Sequence, residues 1–261
     1  MDTRAFDASV IVSALPQLLE FLDVTLLVGL SSILLGSLLG AVLAWAGLGR
    51  MRPLQYAARL YIYIMRCTPS IVMLFIVFYG LPVLVDELFH INMHDTHRGV
   101  FAIIAFTLLF SAYVSEIFRA AYSAVPRGQY EAAISVVISG WQAFWHIMLP
   151  QAAVLALPNF GNSVINLLKE GALAYTIGLI DMIGKGNLII AKNFGAYGIE
   201  IYLACMLVYW LMSLGIEKGF GCLEKKLDKG QLFNSGNSGK RSIPAEQDVI
   251  WKEGEVSGAG L

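Results

Sequence analysis

Residues 130–152 read YEAAISVVISGWQAFWHIMLPQA. The flanks of this stretch are among the most apolar parts of the chain, yet it carries Glu131, Ser135, Ser139, Gln142, His146 and Gln151. It is too polar and too broken to cross a bilayer. Ile134, Val137, Ile138 and Trp141 recur at i, i+3, i+4, i+7, and Trp141, Phe144, Trp145 and Met148 repeat that spacing. The pattern predicts two short amphipathic helices, with Gly140 between them and Pro150 ending the second. They form an apolar knob with a polar edge on a membrane surface. A helix that rests on lipid headgroups is rich in Lys and Arg; this one is not, so a protein partner is the better occupant of its apolar side.

The rest of the sequence supplies the membrane. Of 261 residues, 57% are hydrophobic and 14% are charged; a soluble domain carries about 25% charged residues. The net charge of −1 gives no footing for nucleic acid. Cys67, Cys205 and Cys222 are far apart and read as packing residues, not as a disulfide framework or metal site. The N-terminal MDTRAFDAS lacks a basic stretch running into an apolar core, so the first span is expected to serve as the membrane signal itself.

A span needs about 20 apolar residues. The expected fold is therefore an all-α integral membrane protein with spans over about 20–49, 57–85, 100–123, 152–170 and 196–216. Arg50, Arg52 and Arg59 follow the first span, and EKGFGCLEKK (217–226) follows the last. Lys and Arg flank spans on the cytoplasmic side, which predicts N-out, C-in, with the loop 127–150 in the cytoplasm. Residues 171–180 are apolar but too short to cross, and Asp181 interrupts the apolar run beyond them. Gly36-x-x-x-Gly40 is a close-packing spacing for membrane helices. The organisation expected is a transmembrane domain over 1–229 and a disordered, Gly/Ser-rich cytoplasmic tail over 230–261.

Polar residues inside spans are costly and face a cavity or the bundle interior. Asn159, Asn162 and Asn166 fall at i, i+3, i+7, and Lys169 or Glu170 extends that face. The stripe reads either as interhelical hydrogen bonding or as a pathway lining, where amides, a cation and an anion suit a zwitterion. Arg66 and Glu116 border the second and third spans and are expected to pair near an inner gate, with Arg119, one turn after Glu116, sharing the charge. His90, His94 and His97 with Asp95 lie in the first outer loop and read as solvated; no metal is expected there.

GQYEAA (128–133), followed by Ile147-x-Leu149-Pro150, resembles the EAA loop of ABC-transporter permeases. The resemblance runs over about 17–228 and includes RCTPS (66–70), FYGLP (78–82), AYVSEIFRAAYSAVPRGQYEAA (112–133) and LLKEGALAYTIGLIDMI (167–183). Together these are similar to permeases of polar amino-acid uptake systems, the histidine/glutamine/arginine/opine group, and the RCTPSIVMLF stretch to those of cystine-type systems. The resemblance implies that Glu131, Ala132, Ala133, Gly140, Trp141, Ile147, Leu149 and Pro150 couple the chain to a separate ATPase dimer. It also implies a second permease subunit, an extracytoplasmic solute-binding protein, an amino-acid substrate and a bacterial plasma membrane.

Two departures stand out. The family's loop glycine falls at Val137, so Gly140 is expected to take over the turn. Where the family has Lys-Asp-Thr-Ser, this chain has Lys169-Glu170-Gly171-Ala172.

A Walker A motif is Gly-x4-Gly-Lys-Ser/Thr. GLIDMIGKG (178–186) has five residues between its glycines and no hydroxyl, and GNSGKRS (236–242) fails too. The chain is expected not to be an enzyme and to hold no cofactor, with ATP and Mg on the partner ATPase. The alternative is a stand-alone channel or ion-coupled carrier, but no second half resembles the first, as carriers commonly show.

Overall fold

The computed structural model describes residues 6–228 other than Arg50 and His94. The tail expected from 230, the first five residues, Arg50 of the basic stretch and His94 of the outer loop lie outside the described residues.

The described chain is helical. Helix α1 (Ala8–Leu19) is capped by Asp7, whose Oδ1 accepts from the Ser9 N–H at 2.9 Å. It buries Ala14 and Leu18 beside Met182, Ile201 and Cys205. The Asp7 N–H donates to Glu200 Oε1 at 3.1 Å, which fastens this helix to the last one. Helix α2 (Leu22–Leu48) follows. Its 27 residues rise about 40 Å, more than the ~30 Å hydrocarbon core. Leu27, Leu30, Leu34, Leu38, Val42 and Trp45 stand exposed along its outer side, the arrangement a helix adopts with lipid as solvent.

The stretch expected as one span over 57–85 is divided. Helix α3 (Arg52–Cys67) stops at Thr68, which is extended at φ −91°, ψ 124°, and Ser70–Phe89 forms α4. Pro69 explains the break: its ring pushes the preceding residue out of the α region, and it has no N–H to continue the ladder.

Helix α5 (Arg98–Ala124) is the centre of the bundle. The His97 Nδ1 caps its first turn, accepting from the Gly99 N–H at 3.1 Å. Phe101, Ala105, Phe106, Leu109, Phe110 and Val114 on α5 are buried with Leu74, Val77, Val164 and Leu168. Gly36 and Gly40 let α2 lie against it. A Cβ on Gly40 would stand 3.0 Å from the Ser111 carbonyl oxygen, and one on Gly36 would be 3.2 Å from that of Thr107. Van der Waals contact is what holds helices together in lipid, so this approach is the main joint of the fold.

Helix α6 (Arg127–Ser135) leads through a turn to α7 (Gly140–Ile177), which bends by 48° into α8 (Met182–Lys192). The buried Asp181 sits at that bend and caps α8, its Oδ1 accepting from the Gly184 N–H at 2.8 Å. Helix α9 (Gly198–Asp228) ends the described chain.

Among the described residues, α2, α4, α5 and α9 are each long and apolar enough to cross a membrane. The bent pair α7–α8 makes a fifth candidate. Helix α9 runs on past the expected limit of 216.

Pro150 does not end a helix, contrary to expectation. Phe144–Met148 is a π turn inside α7, and Ile76–Gly80 is another inside α4. Each precedes a proline, Pro150 or Pro82, by two residues. A proline ring clashes with the carbonyl four residues back; the wider π turn moves that carbonyl aside, so the helix continues.

Candidate functional site

The loop between α5 and α7 is built from two capping motifs. At the end of α6 the Val137 N–H donates to the Ile134 carbonyl at 3.1 Å and the Ile138 N–H to that of Ala133 at 3.3 Å. This pair of bonds is the Schellman ending, which requires a left-handed residue at the position of Val137. Val137 adopts it, with φ +64°. Glycine is the usual occupant because the left-handed region costs an L-residue about 1–2 kcal/mol.

The expectation that Gly140 takes over the turn is therefore corrected. The hydrogen bonds fix the turn at 137 whatever side chain stands there, and Gly140 opens α7. Ser139 caps that helix in a capping box, its Oγ accepting from the Gln142 N–H at 3.3 Å while Gln142 Oε1 accepts from the Ser139 N–H at 3.2 Å. Gly140 also leaves room for the Tyr130 hydroxyl, which would stand 3.2 Å from a Cβ there and would have to move slightly for any side chain.

Because α6 stops at Ser135, Val137 and Ile138 do not extend one helical face with Trp141. The apolar knob is made by the turn instead. Val137 is 94% exposed, Trp141 71% and Val136 67%, with Trp145 also exposed. Trp141, Phe144 and Trp145 touch edge to face or stacked, and Phe144 meets Tyr122 of α5 at 5.9 Å between ring centroids. Met148 and Ala152 are buried against Val125. The loop is thus seated on the end of α5 with its outer side bare. Of the residues singled out from sequence, Glu131, Ala132, Gly140, Trp141 and Pro150 are exposed, Ile147 and Leu149 are half-buried, and Ala133 is buried.

Asn159, Asn162 and Asn166 are all exposed on the single chain, along the part of α7 that runs through the span. An amide facing hydrocarbon without a partner costs several kcal/mol. The stripe therefore faces water or another polypeptide, not lipid.

Lys169 and Glu170 diverge. The half-buried Glu170 turns to α4, where the Ser70 hydroxyl donates to Oε2 at 2.7 Å. Lys169 turns towards α9 and lines a cavity of about 250 Å³ with Tyr202, Cys205 and Tyr209. Of the two, Glu170 continues the asparagine face, eleven residues after Asn159 and so about 20° from it.

The expected Arg66–Glu116 pair is not made. Glu116 pairs with Arg119, whose Nη2 lies 2.7 Å from Oε2 and whose Nε reaches both carboxylate oxygens at 3.1 Å. One helical turn brings these two together within α5. The Arg66 guanidinium instead lies over the Tyr113 ring, 5.8 Å from its centroid. In the loop between α4 and α5, His90 ends α4 at φ +55° and His97 caps α5. Among the described residues no three His, Cys, Asp or Glu side chains converge to hold a metal.

Sequence reasoning missed Ser70, Tyr122 and Tyr130. Ser70 follows Thr68-Pro69, which signals a break; nothing nearby signals that its hydroxyl reaches Glu170.

Residues 32–229 match the family model for the binding-protein-dependent transport system inner membrane component. The chain is 39% identical over 228 residues to the L-cystine transport system permease protein TcyL of Bacillus subtilis, covering 87% of this chain and 94% of that one. It is 30% identical over 209 residues to the glutamate/aspartate import permease protein GltK of Escherichia coli, covering 80% and 92%. Among solved structures, a crystal structure of an amino acid ABC transporter with histidines matches 85% of this chain and 100% of its own, with 29% identity and a TM-score of 0.74. The inward-facing MetNI methionine ABC transporter shares the fold at 16% identity and a TM-score of 0.59 over 80% of this chain and 94% of its own.

A helical bundle with several membrane spans, a loop between spans seated on the end of α5 and amides exposed within a span belongs to the class of polytopic transport subunits. The chain is a member of the binding-protein-dependent transport system inner membrane component family, and hence a multi-pass permease subunit of an ABC importer in the bacterial plasma membrane.

Proposed function

We propose that this chain conducts polar amino acids, with cystine or a close relative as the first candidate. The observation that carries this is 39% identity over nearly the whole length of a permease named for L-cystine transport. Relatives named for glutamate/aspartate and nopaline support the wider class.

In this reading the N-terminus is outside and the C-terminus inside, which places the 127–150 loop in the cytoplasm. The bare apolar side of that loop, carrying Val137 and Trp141, docks in a groove of an ATPase subunit. ATP and Mg are bound there and not by this chain, which is a transport subunit and not an enzyme. A second permease, identical or a sister, supplies the other wall of a pathway lined here by Asn159, Asn162, Asn166 and Glu170. The three amides supply donors and acceptors and the carboxylate an anion, which suits the ammonium end of a zwitterion. A solute-binding protein delivers the substrate from the outer side.

The test is uptake by proteoliposomes that hold the chain with its ATPase, its second permease subunit and its binding protein. ATP-dependent accumulation of labelled cystine, competed by related polar amino acids, is the expected result. Movement of solute without ATP, down its gradient only, would replace the importer reading with a channel or carrier.

A further inference from the structure

Val137 is under two opposed demands. The pair of hydrogen bonds that ends α6 requires a left-handed residue, and Val137 holds φ +64°. A branched side chain is the poorest occupant of that region, and glycine would relieve it without altering either bond. The side chain gains nothing within the chain in return, because it is 94% exposed. It stands beside Val136 at 67% and Trp141 at 71% exposure, at the tip of a loop whose inner side is already seated on α5. An apolar group that is strained in its own chain and bare to solvent is compensated only by what covers it in the assembly.

We propose that Val137 is a specificity-determining residue for the ATPase partner, its isopropyl group filling an apolar pocket in that subunit's groove. The proposal rests on reading the loop as the ATPase-docking element. Left-handed backbone at this position turns the side chain outward from the end of α6, into the partner. An ATPase whose groove closes over a glycine at this place would be excluded by the added bulk, so the residue that strains the permease also selects its motor.

The test uses the complete complex and the detergent-solubilised permease, with wild type, Val137→Gly and Val137→Thr. The glycine variant is expected to raise the melting temperature of the permease alone while weakening capture of the cognate ATPase by about tenfold, the loss of one buried valine side chain. The threonine variant keeps the branching, and with it the strain and the melting temperature, but replaces a methyl with a hydroxyl; its capture should fall as well. A glycine variant that is more stable and captures the ATPase as well as wild type, or better, overturns the proposal and leaves Val137 as a poor helix cap. Wild type that captures no ATPase overturns the docking reading, and this proposal with it.

Discussion

The Ser70 hydroxyl donates to Glu170 Oε2 at 2.7 Å, joining side chains 100 residues apart in the chain. Ser70 is the first residue after the Thr68–Pro69 break, and Glu170 ends the polar stripe of α7. One hydrogen bond to a carboxylate therefore ties the first residue of α4 to the polar face of α7. Bonds to charged groups contribute about 1.5–3 kcal/mol, less where water reaches them, and Glu170 is half-buried. Ser70→Ala is expected to lower stability by about 1 kcal/mol and to slow transport, because the carboxylate loses its fixed position; Ser70→Thr should keep most of both. Thermal melting and uptake rates of the two variants check this.

The asparagine stripe makes a different kind of prediction. Since Asn159, Asn162 and Asn166 touch solvent on the single chain, replacing any of them with Leu should change the melting temperature of the isolated permease little, within about 0.5 kcal/mol. Transport should drop severalfold in each case. A cysteine at 162 should react with a water-soluble maleimide in the assembled importer. Loss of folding, with no reaction, would make the stripe a set of interhelical bonds.

At the α2–α5 joint, a Cβ on Gly40 meets the Ser111 carbonyl oxygen at 3.0 Å, and backbone cannot give way cheaply. Gly40→Ala should destabilise the permease by about 1–3 kcal/mol. Gly47, on the same helix, has nothing within 4 Å of its would-be Cβ, so Gly47→Ala should be neutral or slightly stabilising. Melting curves of the pair in one detergent compare them directly.

Much of this architecture is legible in the sequence, and the reasons differ by element. Spans such as α2 and α5 announce themselves because lipid demands long apolar runs. The break in the second expected span is missed: Pro69 carries the signal by restricting Thr68, but the apolar residues around it invite one continuous span over 57–85. Helix α1 is short and holds Pro16, which hides it, although Val10, Ile11, Ala14, Leu15 and Leu18 recur on the one face that is buried; the bond from Asp7 to the distant Glu200 has no local signal. The continuation of α7 through Pro150 is easily misread because a proline usually stops a helix, and only a π turn lets it pass. The turn at Val137 is misplaced by sequence for a related reason. Residue preference points to Gly140, while the hydrogen bonds at the end of α6 choose position 137. Pairings across the chain, Ser70 with Glu170 above all, leave no local trace.

The ion pair on α5 separates the two arrangements directly. Glu116 bonds to Arg119, not to Arg66. Both side chains are partly exposed, so the pair contributes about 0.2–1 kcal/mol. Exchanging the two, Glu116→Arg with Arg119→Glu, should recover the stability lost by either single change. Combining Glu116→Arg with Arg66→Glu should recover nothing. A double-mutant cycle on melting temperature measures both.

In the proposed function, the loop carrying Glu131 is where this permease meets its motor. The most direct measurement is affinity purification of the tagged chain in mild detergent from membranes that also hold its ATPase, for wild type and for Glu131→Arg. Glu131 is exposed on α6, so the change should leave the permease folded. The ATPase is expected to co-purify with wild type and to be lost or much reduced with the variant, while the second permease subunit, identical or a sister, is retained by both. Equal recovery of the ATPase with both, from equally folded permease, would contradict this role of the loop.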